Sequence, residues 1–107
     1  MNHGLTSETA DRIRSVLARF PDVEKAVLYG SRAKGNYKRG SDIDLTLFGD
    51  QLNNSTLAHI DDKLDDLLLP YKIDISIFAN ISHSDLIDHI RRVGVVFYEK
   101  QAAAVKN

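Results

Sequence analysis

The chain has 107 residues, of which 43% are hydrophobic and 27% charged, with a formal net charge of −1, as in a single soluble globular domain over residues 1–107. The absence of cysteine excludes disulfides, thiolate metal sites and a cysteine nucleophile. The near-neutral charge argues against a duplex nucleic-acid partner, and the lack of a long apolar run argues against a signal peptide or a membrane partner, which predicts a cytoplasmic protein.

The first half of the chain predicts one helix and two strands. Apolar residues at helical spacing predict a helix over residues 7–19, which Pro21 ends. Residues 24–29 have the β-branched and aromatic content of a short strand, and residues 31–35 are expected to form about one helical turn. Residues 42–48 alternate between apolar and polar side chains, which is typical of a half-buried strand.

A second long helix is expected between a cap at Asn53, Asn54 or Ser55 and a stop at Pro70. Its apolar residues share one helical face and predict a buried stripe, made of Leu57, Ile60, Leu64, Leu67 and Leu68. Its aspartates lie mostly off that stripe, so we interpret them as a solvated face rather than a metal site; they are Asp61, Asp62, Asp65 and Asp66.

The last part of the chain predicts a strand, a helix and a short final segment. Residues 72–78 alternate again, and they include Asp74. Ser82 or Ser84 is expected to cap a last helix that ends at Gly94, and residues 95–98 are either an edge strand or a packed segment. Residues 1–6 and 99–107 are expected to be loose ends.

The predicted order is α-β-(α)-β-α-β-α, which indicates an α+β protein with a small mixed sheet covered by helices. A helical crossover usually joins parallel strands, so the second and third strands should be parallel. The short first connection favours an antiparallel first pair. This topology brings the exit of the first strand and the entrances of the other two to one end of the sheet.

Three aspartates fall in strand-like segments at that end of the sheet: Asp42, Asp44 and Asp74. Carboxylates gathered on adjacent strands repel one another unless a cation lies among them. Hard oxygen ligands without histidine or cysteine select Mg²⁺ or Mn²⁺ over zinc. Taken singly, each aspartate is more simply interpreted as a solvent-facing residue of a half-exposed sheet.

The Gly30-Ser31 turn, at the exit of the first strand, makes the functional interpretation more specific. Backbone N–H groups and the serine hydroxyl at such a turn can hold phosphate oxygens. Arg32 and Lys34 follow in the same turn and would offset the charge of a triphosphate. None of the four histidines is expected to be catalytic or a ligand, and Tyr29 is expected to be a packed aromatic at the end of its strand.

The run GSRAKGNYKRGSDIDL, followed by the strand KIDISIF, resembles the signature of the polymerase-β-like nucleotidyltransferases, and in particular of the minimal nucleotidyltransferases. The resemblance implies the fold of that family. It also implies that Gly30 and Ser31 bind phosphate, and that Asp42, Asp44 and Asp74 hold two Mg²⁺ ions and carry out catalysis, with Mn²⁺ as a substitute. Asp74 would be a metal ligand and a candidate general base.

The resemblance further implies nucleotidyl transfer, with ATP as the expected nucleoside triphosphate and a protein hydroxyl as the expected acceptor. Minimal members commonly act with a small all-helical partner of the HEPN ribonuclease type, often as its antitoxin. Two alternatives remain open at this point. The chain could be a non-catalytic module that neutralises a partner by covering it, or a nucleotide-binding subunit whose partner supplies the acceptor site.

Overall fold

The computed structural model describes residues 3–101. Helices and strands follow the expected order, with one further strand at the end: α1 (Ser7–Ala18), β1 (Lys25–Tyr29), α2 (Ser31–Lys34), β2 (Ile43–Phe48), α3 (Asn54–Asp65), β3 (Ile73–Ile77), a 3₁₀ turn (Phe78–Asn80), α4 (Ser84–Val93) and β4 (Val95–Glu99). Within residues 3–101, no helix has both the length and the apolarity that crossing a bilayer requires.

Side-chain caps begin the three long helices. Thr6 caps α1 and Asn53 caps α3, each by accepting a hydrogen bond from the backbone N–H three residues on, at 3.0 and 2.9 Å. The expectation for α4 was wrong, because neither Ser82 nor Ser84 is its cap. The Nδ1 atom of His83 accepts from the N–H three residues on, at 3.3 Å, and fills that role.

The four strands form one mixed sheet in the order β3-β2-β1-β4. β1 is antiparallel to β2 and to β4, whereas β2 and β3 are parallel, so both predicted pairings are confirmed. The parallel pair follows from the crossover through α3, since two strands joined by a helix run in the same direction. Residues 95–98 belong to an edge strand, which decides between the two alternatives for that segment.

Each face of the sheet is covered by helix. α1 and α3 pack on the face that carries the apolar alternation of β2, and the buried residues there include Ile13, Leu17, Leu28, Ile43, Leu45, Leu47 and Ile60. α4 packs on the opposite face, where Ile90 and Val27 are buried. Thr46 is also fully buried there, and the hydroxyl of Ser76 bonds to its hydroxyl at 3.0 Å. The second face is therefore partly covered rather than open to solvent.

Two expectations about the ends of segments were wrong. Leu68 does not belong to the buried stripe of α3, because the helix ends at Asp65 and Leu68 has a φ of +55° and is 88% exposed. The terminal segments are also better fixed than expected: Leu5 is buried in the core, and Glu99 pairs with β1. Residues 1, 2 and 102–107, which we expected to be loose, lie outside the described residues.

Candidate active site

Three neighbouring strands bring the predicted site residues to one end of the sheet. Asp44 of β2 pairs with Tyr29, the last residue of β1, in the antiparallel register. The same Asp44 pairs with Asp74 in the parallel register of β2 and β3. Gly30 follows Tyr29 directly and Asp42 precedes β2, so the gathering predicted from the strand order is confirmed. The catalytic and binding roles of these residues stay predictions.

Gly30 and Asp44 fit together closely. Gly30 has a φ of +78° and a ψ of −155°, a conformation that is accessible essentially to glycine alone. A Cβ atom built on Gly30 would lie 2.5 Å from Oδ2 of Asp44. The missing side chain therefore leaves the space that the Asp44 carboxylate uses at the exit of β1.

The carboxylate of Asp44 is in an unfavourable place for a negative charge. Partial burial raises the pKa of Asp44, and the like charges of Asp74 and Asp42 raise it further, while His89 and Lys72 act in the opposite direction. The ion pair between Lys72 Nζ and Asp74 Oδ1 is 3.9 Å long and exposed, so it offsets little of this repulsion.

The donor chemistry of this end of the sheet fits a divalent cation only in part. Asp42, Asp44 and Asp74 offer hard oxygen atoms, and the raised pKa of Asp44 shows that their charges act on one another. Among residues 3–101, however, no three acidic or histidine side chains are close enough together to make a ready set of metal ligands. Binding of an ion would therefore need these carboxylates to come closer together.

The predicted phosphate-binding turn lies directly beside this cluster. α2 begins at Ser31, whose side chain is half-buried, and Lys34, in the same turn, is exposed. The carbonyl of Ser31 accepts hydrogen bonds from the N–H groups of Gly35 and Asn36 at 3.0 and 3.2 Å, which closes the turn. Ser31 and Lys34 are thus placed as the sequence predicted.

Arg32 has a different role from the one predicted. Its side chain is only 2% exposed, and its guanidinium donates hydrogen bonds to the carbonyl oxygens of Ser41 and His3. The rings of Tyr37 and Tyr71 lie 5.3 and 5.0 Å from its central carbon. Because its donors and faces are engaged with the protein, the prediction that Arg32 offsets phosphate charge is wrong.

His89 also contacts the site, and the sequence did not predict this contact. Its Nε2 atom accepts a hydrogen bond from the backbone N–H of Gly30 at 3.1 Å, and its ring packs edge-on against Tyr29 at 6.2 Å. The expectation that Tyr29 is a packed aromatic is confirmed, and burial raises the pKa of its hydroxyl. The sequence offers one local signal for this contact: His89 is a polar residue that directly precedes the buried Ile90 on α4.

A cavity of about 830 Å³ lies away from this cluster. It is lined at the far end of β2 by Leu47, Phe48 and Gly49. Two smaller clefts, of about 260 and 380 Å³, open beside Asp74 between α3 and β3. The candidate site is therefore a sheet end flanked by these two clefts.

Comparison with known proteins identifies related chains. A family model described as polymerase beta, nucleotidyltransferase matches residues 11–103. A protein of Haemophilus influenzae named as a probable protein adenylyltransferase, MntA, is 27% identical over 103 residues, which cover 95% of this chain and 90% of the relative.

Solved structures with the same fold were also found. One is a crystal structure of a toxin-antitoxin with AMP-PNP, with a TM-score of 0.69 and 23% identity over 86% of this chain and 74% of the other. Another is a tri-AMPylated Shewanella oneidensis HEPN toxin in complex with MNT antitoxin, with a TM-score of 0.67 and 18% identity over 90% and 74% of the two chains. At these identities the likeness shows the fold.

Proposed function

The chain belongs to the polymerase beta nucleotidyltransferase family, and on that premise we propose that it transfers AMP from ATP to a hydroxyl group of a protein. The observation that carries the proposal is the fit of the Asp44 carboxylate against Gly30, in register with Asp74. The name of the Haemophilus relative supports adenylyl transfer to protein, and the AMP-PNP of the toxin-antitoxin structure supports ATP as the donor.

Asp42, Asp44 and Asp74 would hold Mg²⁺, or Mn²⁺ in its place, as two ions. When bound, divalent cations offset the charge of the triphosphate and lower the pKa of the acceptor hydroxyl. The Ser31 hydroxyl would orient the phosphates at the start of α2, and the exposed Lys34 would balance part of their charge. The nucleotide would then lie over the end of β1 and β2.

Asp74 would serve the acceptor side. It lies on β3, the outer strand of the sheet, and it borders the two clefts described above. An acceptor hydroxyl entering from that edge would meet the Asp74 carboxylate, which can accept its proton as oxygen attacks the α-phosphorus and pyrophosphate leaves. The two clefts beside Asp74 have volumes of about 260 and 380 Å³, so a protein acceptor would contribute most of its binding surface outside them.

The proposed partner is a small all-helical protein of the HEPN type, with this chain as its antitoxin. The AMPylated HEPN toxin in complex with an MNT antitoxin supports this pairing, because the matched chain of that complex shares the fold described here.

Incubation with such a partner, Mg²⁺ and labelled ATP, followed by mass spectrometry of the intact partner, tests the proposal. We expect an added AMP, and we expect it to be lost when Asp42→Asn and Asp44→Asn are combined. The matched control is Asp62→Asn with Asp66→Asn, two exposed aspartates at the end of α3, which should leave the transfer unchanged.

The same experiment separates the alternatives. If the Asp42→Asn, Asp44→Asn protein still neutralises the partner and no AMP is added by the wild type, the chain acts by covering the partner. If the isolated chain binds ATP with Mg²⁺ but transfers AMP only when the partner is present, the partner supplies the acceptor site.

A further inference from the structure

Arg32 is a buried arginine whose donors point at backbone carbonyls. Nε and Nη2 donate to the carbonyl oxygen of Ser41 at 3.1 and 2.9 Å, and Nη1 donates to that of His3 at 2.9 Å. Among the described residues, no carboxylate lies within salt-bridge distance of it. The positive charge of Arg32 is therefore balanced by carbonyl dipoles. Because Nε and Nη2 both donate to the Ser41 carbonyl, they fix its distance and its direction.

Aromatic rings complete the surroundings of this guanidinium. The central carbon of Arg32 lies 5.3 Å from the centroid of Tyr37 and 5.0 Å from that of Tyr71. Planar delocalised cations stack on aromatic faces, whereas a lysine ammonium lacks both the plane and the paired donors. Gly4 closes the cluster from the N-terminal side, since a Cβ there would collide with Tyr37 and with Nη1 of Arg32.

The segments that meet at Arg32 are those that carry the candidate site. Arg32 itself follows Ser31 in the phosphate turn, and Ser41 directly precedes Asp42. Tyr71 precedes the entrance of β3, where the N–H of Ile43 donates to the carbonyl of Lys72 at 2.9 Å. One side chain thus links the turn, the approach to Asp42 and the approach to Asp74.

Asp42 needs such an anchor because it lies outside the strand register. The pairing of β2 with β1 and β3 begins beyond it, and the preceding loop, residues 36–41, is largely exposed. Gly35 flanks this loop, Gly40 lies in it, and both have positive φ. Because the glycine backbone is the most permissive, these residues restrain the loop little. Within it, the N–H of Ser41 donates to the carbonyl of Lys38 at 3.0 Å, and the N–H of Lys38 donates to the hydroxyl of Ser41 at 2.8 Å.

We propose that Arg32 is a positioning residue, which fixes the peptide before Asp42 relative to the Gly30-Ser31 turn and thereby sets the distance between the metal-binding and phosphate-binding parts of the site. This inference rests on the proposed function for its catalytic consequence. Its structural content, that Arg32 orders residues 36–42, is independent of any nucleotide.

The test uses Arg32→Met, which keeps much of the side-chain volume, and Arg32→Lys, which keeps the charge. The control is Arg14→Met, because Nε of Arg14 also donates to a carbonyl, that of Phe97 at 2.7 Å, and its guanidinium also stacks on an aromatic ring, but far from the site. Hydrogen exchange of residues 36–42 is measured without nucleotide, and kcat and KM for ATP are measured where each variant is fully folded.

Arg32→Met should speed exchange in residues 36–42 and lower kcat by about 10- to 100-fold, since a misplacement of about 1 Å can cost a hundredfold in rate. Arg32→Lys should recover part of kcat, and Arg14→Met should change neither quantity. Where Arg32→Met fails to fold, Arg32→Lys against wild type gives the same comparison. Unchanged exchange, or a kcat that matches Arg14→Met, overturns the proposal. Wild-type protein without transfer activity instead refutes the proposed function, while the exchange result still decides whether Arg32 orders the loop.

Discussion

Replacing Gly30 with alanine should disturb the backbone and the Asp44 carboxylate together. The φ of +78° and ψ of −155° lie in a region essentially limited to glycine, so an alanine there costs about 1–3 kcal/mol in free energy of unfolding. The new Cβ would also lie 2.5 Å from Oδ2 of Asp44, which is closer than van der Waals contact permits. Either the carboxylate rotates away or the end of β1 shifts.

Gly35→Ala is a matched control for the backbone part of this effect. Gly35 has a φ of +87°, but no atom lies within 4 Å of the position that its Cβ would take. Left-handed backbone at a non-glycine residue costs about 1–2 kcal/mol. Since about 1 kcal/mol shifts Tm by roughly 4–8 °C in a domain of this size, Gly30→Ala should lower Tm by roughly 4–24 °C, and Gly35→Ala by roughly 4–16 °C.

Thermal unfolding by circular dichroism measures the stabilities, and AMP transfer is measured at a temperature where both variants are folded. Gly30→Ala should reduce transfer by about a hundredfold, as expected for a displaced reacting group, and Gly35→Ala should not. In an Asp44→Ala background the clash between the new Cβ and the Asp44 carboxylate disappears. Gly30→Ala should therefore lower Tm by less in that background than in the wild type. Equal costs in the two backgrounds would refute the reasoning that Gly30 exists to admit the Asp44 carboxylate.

Two further predictions concern the neighbours of Gly30. Because burial and the neighbouring carboxylates raise the pKa of Asp44, its contribution to stability is present below the ordinary pKa and lost as the pH rises through the folded-state pKa. With EDTA present, Asp44→Asn should therefore have a higher Tm than the wild type near neutral pH. The difference should vanish at about pH 3, below the pKa of Asp44 in both the folded and the unfolded state. A Tm difference that grows on acidification would contradict this prediction. His89→Phe removes the acceptor of the Gly30 N–H but keeps an aromatic ring, and it should raise KM for ATP by about 2- to 10-fold, the worth of one hydrogen bond. His59→Phe, on the exposed face of α3, should leave KM unchanged, and an equal effect of both substitutions would count against a role for His89.

The fold and the end of the sheet that carries the site could be predicted because their signals are local. The apolar alternation of residues 43–47 specifies which face of β2 is buried, and the helical spacing between β2 and β3 specifies a crossover, hence parallel strands. Once those two strands are parallel, Asp44 and Asp74 must enter the sheet at the same end. No long-range information was needed for this step.

The role of Arg32 and the contact of His89 depend on tertiary packing and could not be predicted in this way. Arg32 stands in a run of basic residues beside a glycine-serine turn, where a cation is commonly a phosphate ligand. Nothing in that run indicates that Tyr71 and His3 come to the same place. His89 reaches Gly30 only because α4 packs on the face of the sheet opposite α1.

The altered role of Arg32 also changes the charge balance of the site. The guanidinium of Arg32 is bound to carbonyl groups. Lys34 is therefore the exposed cation of α2, and the other cations of the loop lie further along the chain. A triphosphate would add negative charge where Asp44 already lies among like charges that raise its pKa. Side chains alone would leave that repulsion largely in place, because exposed cations are well screened by water. This repulsion is the physical reason for the proposal that divalent cations take part in binding the nucleotide as well as in the transfer.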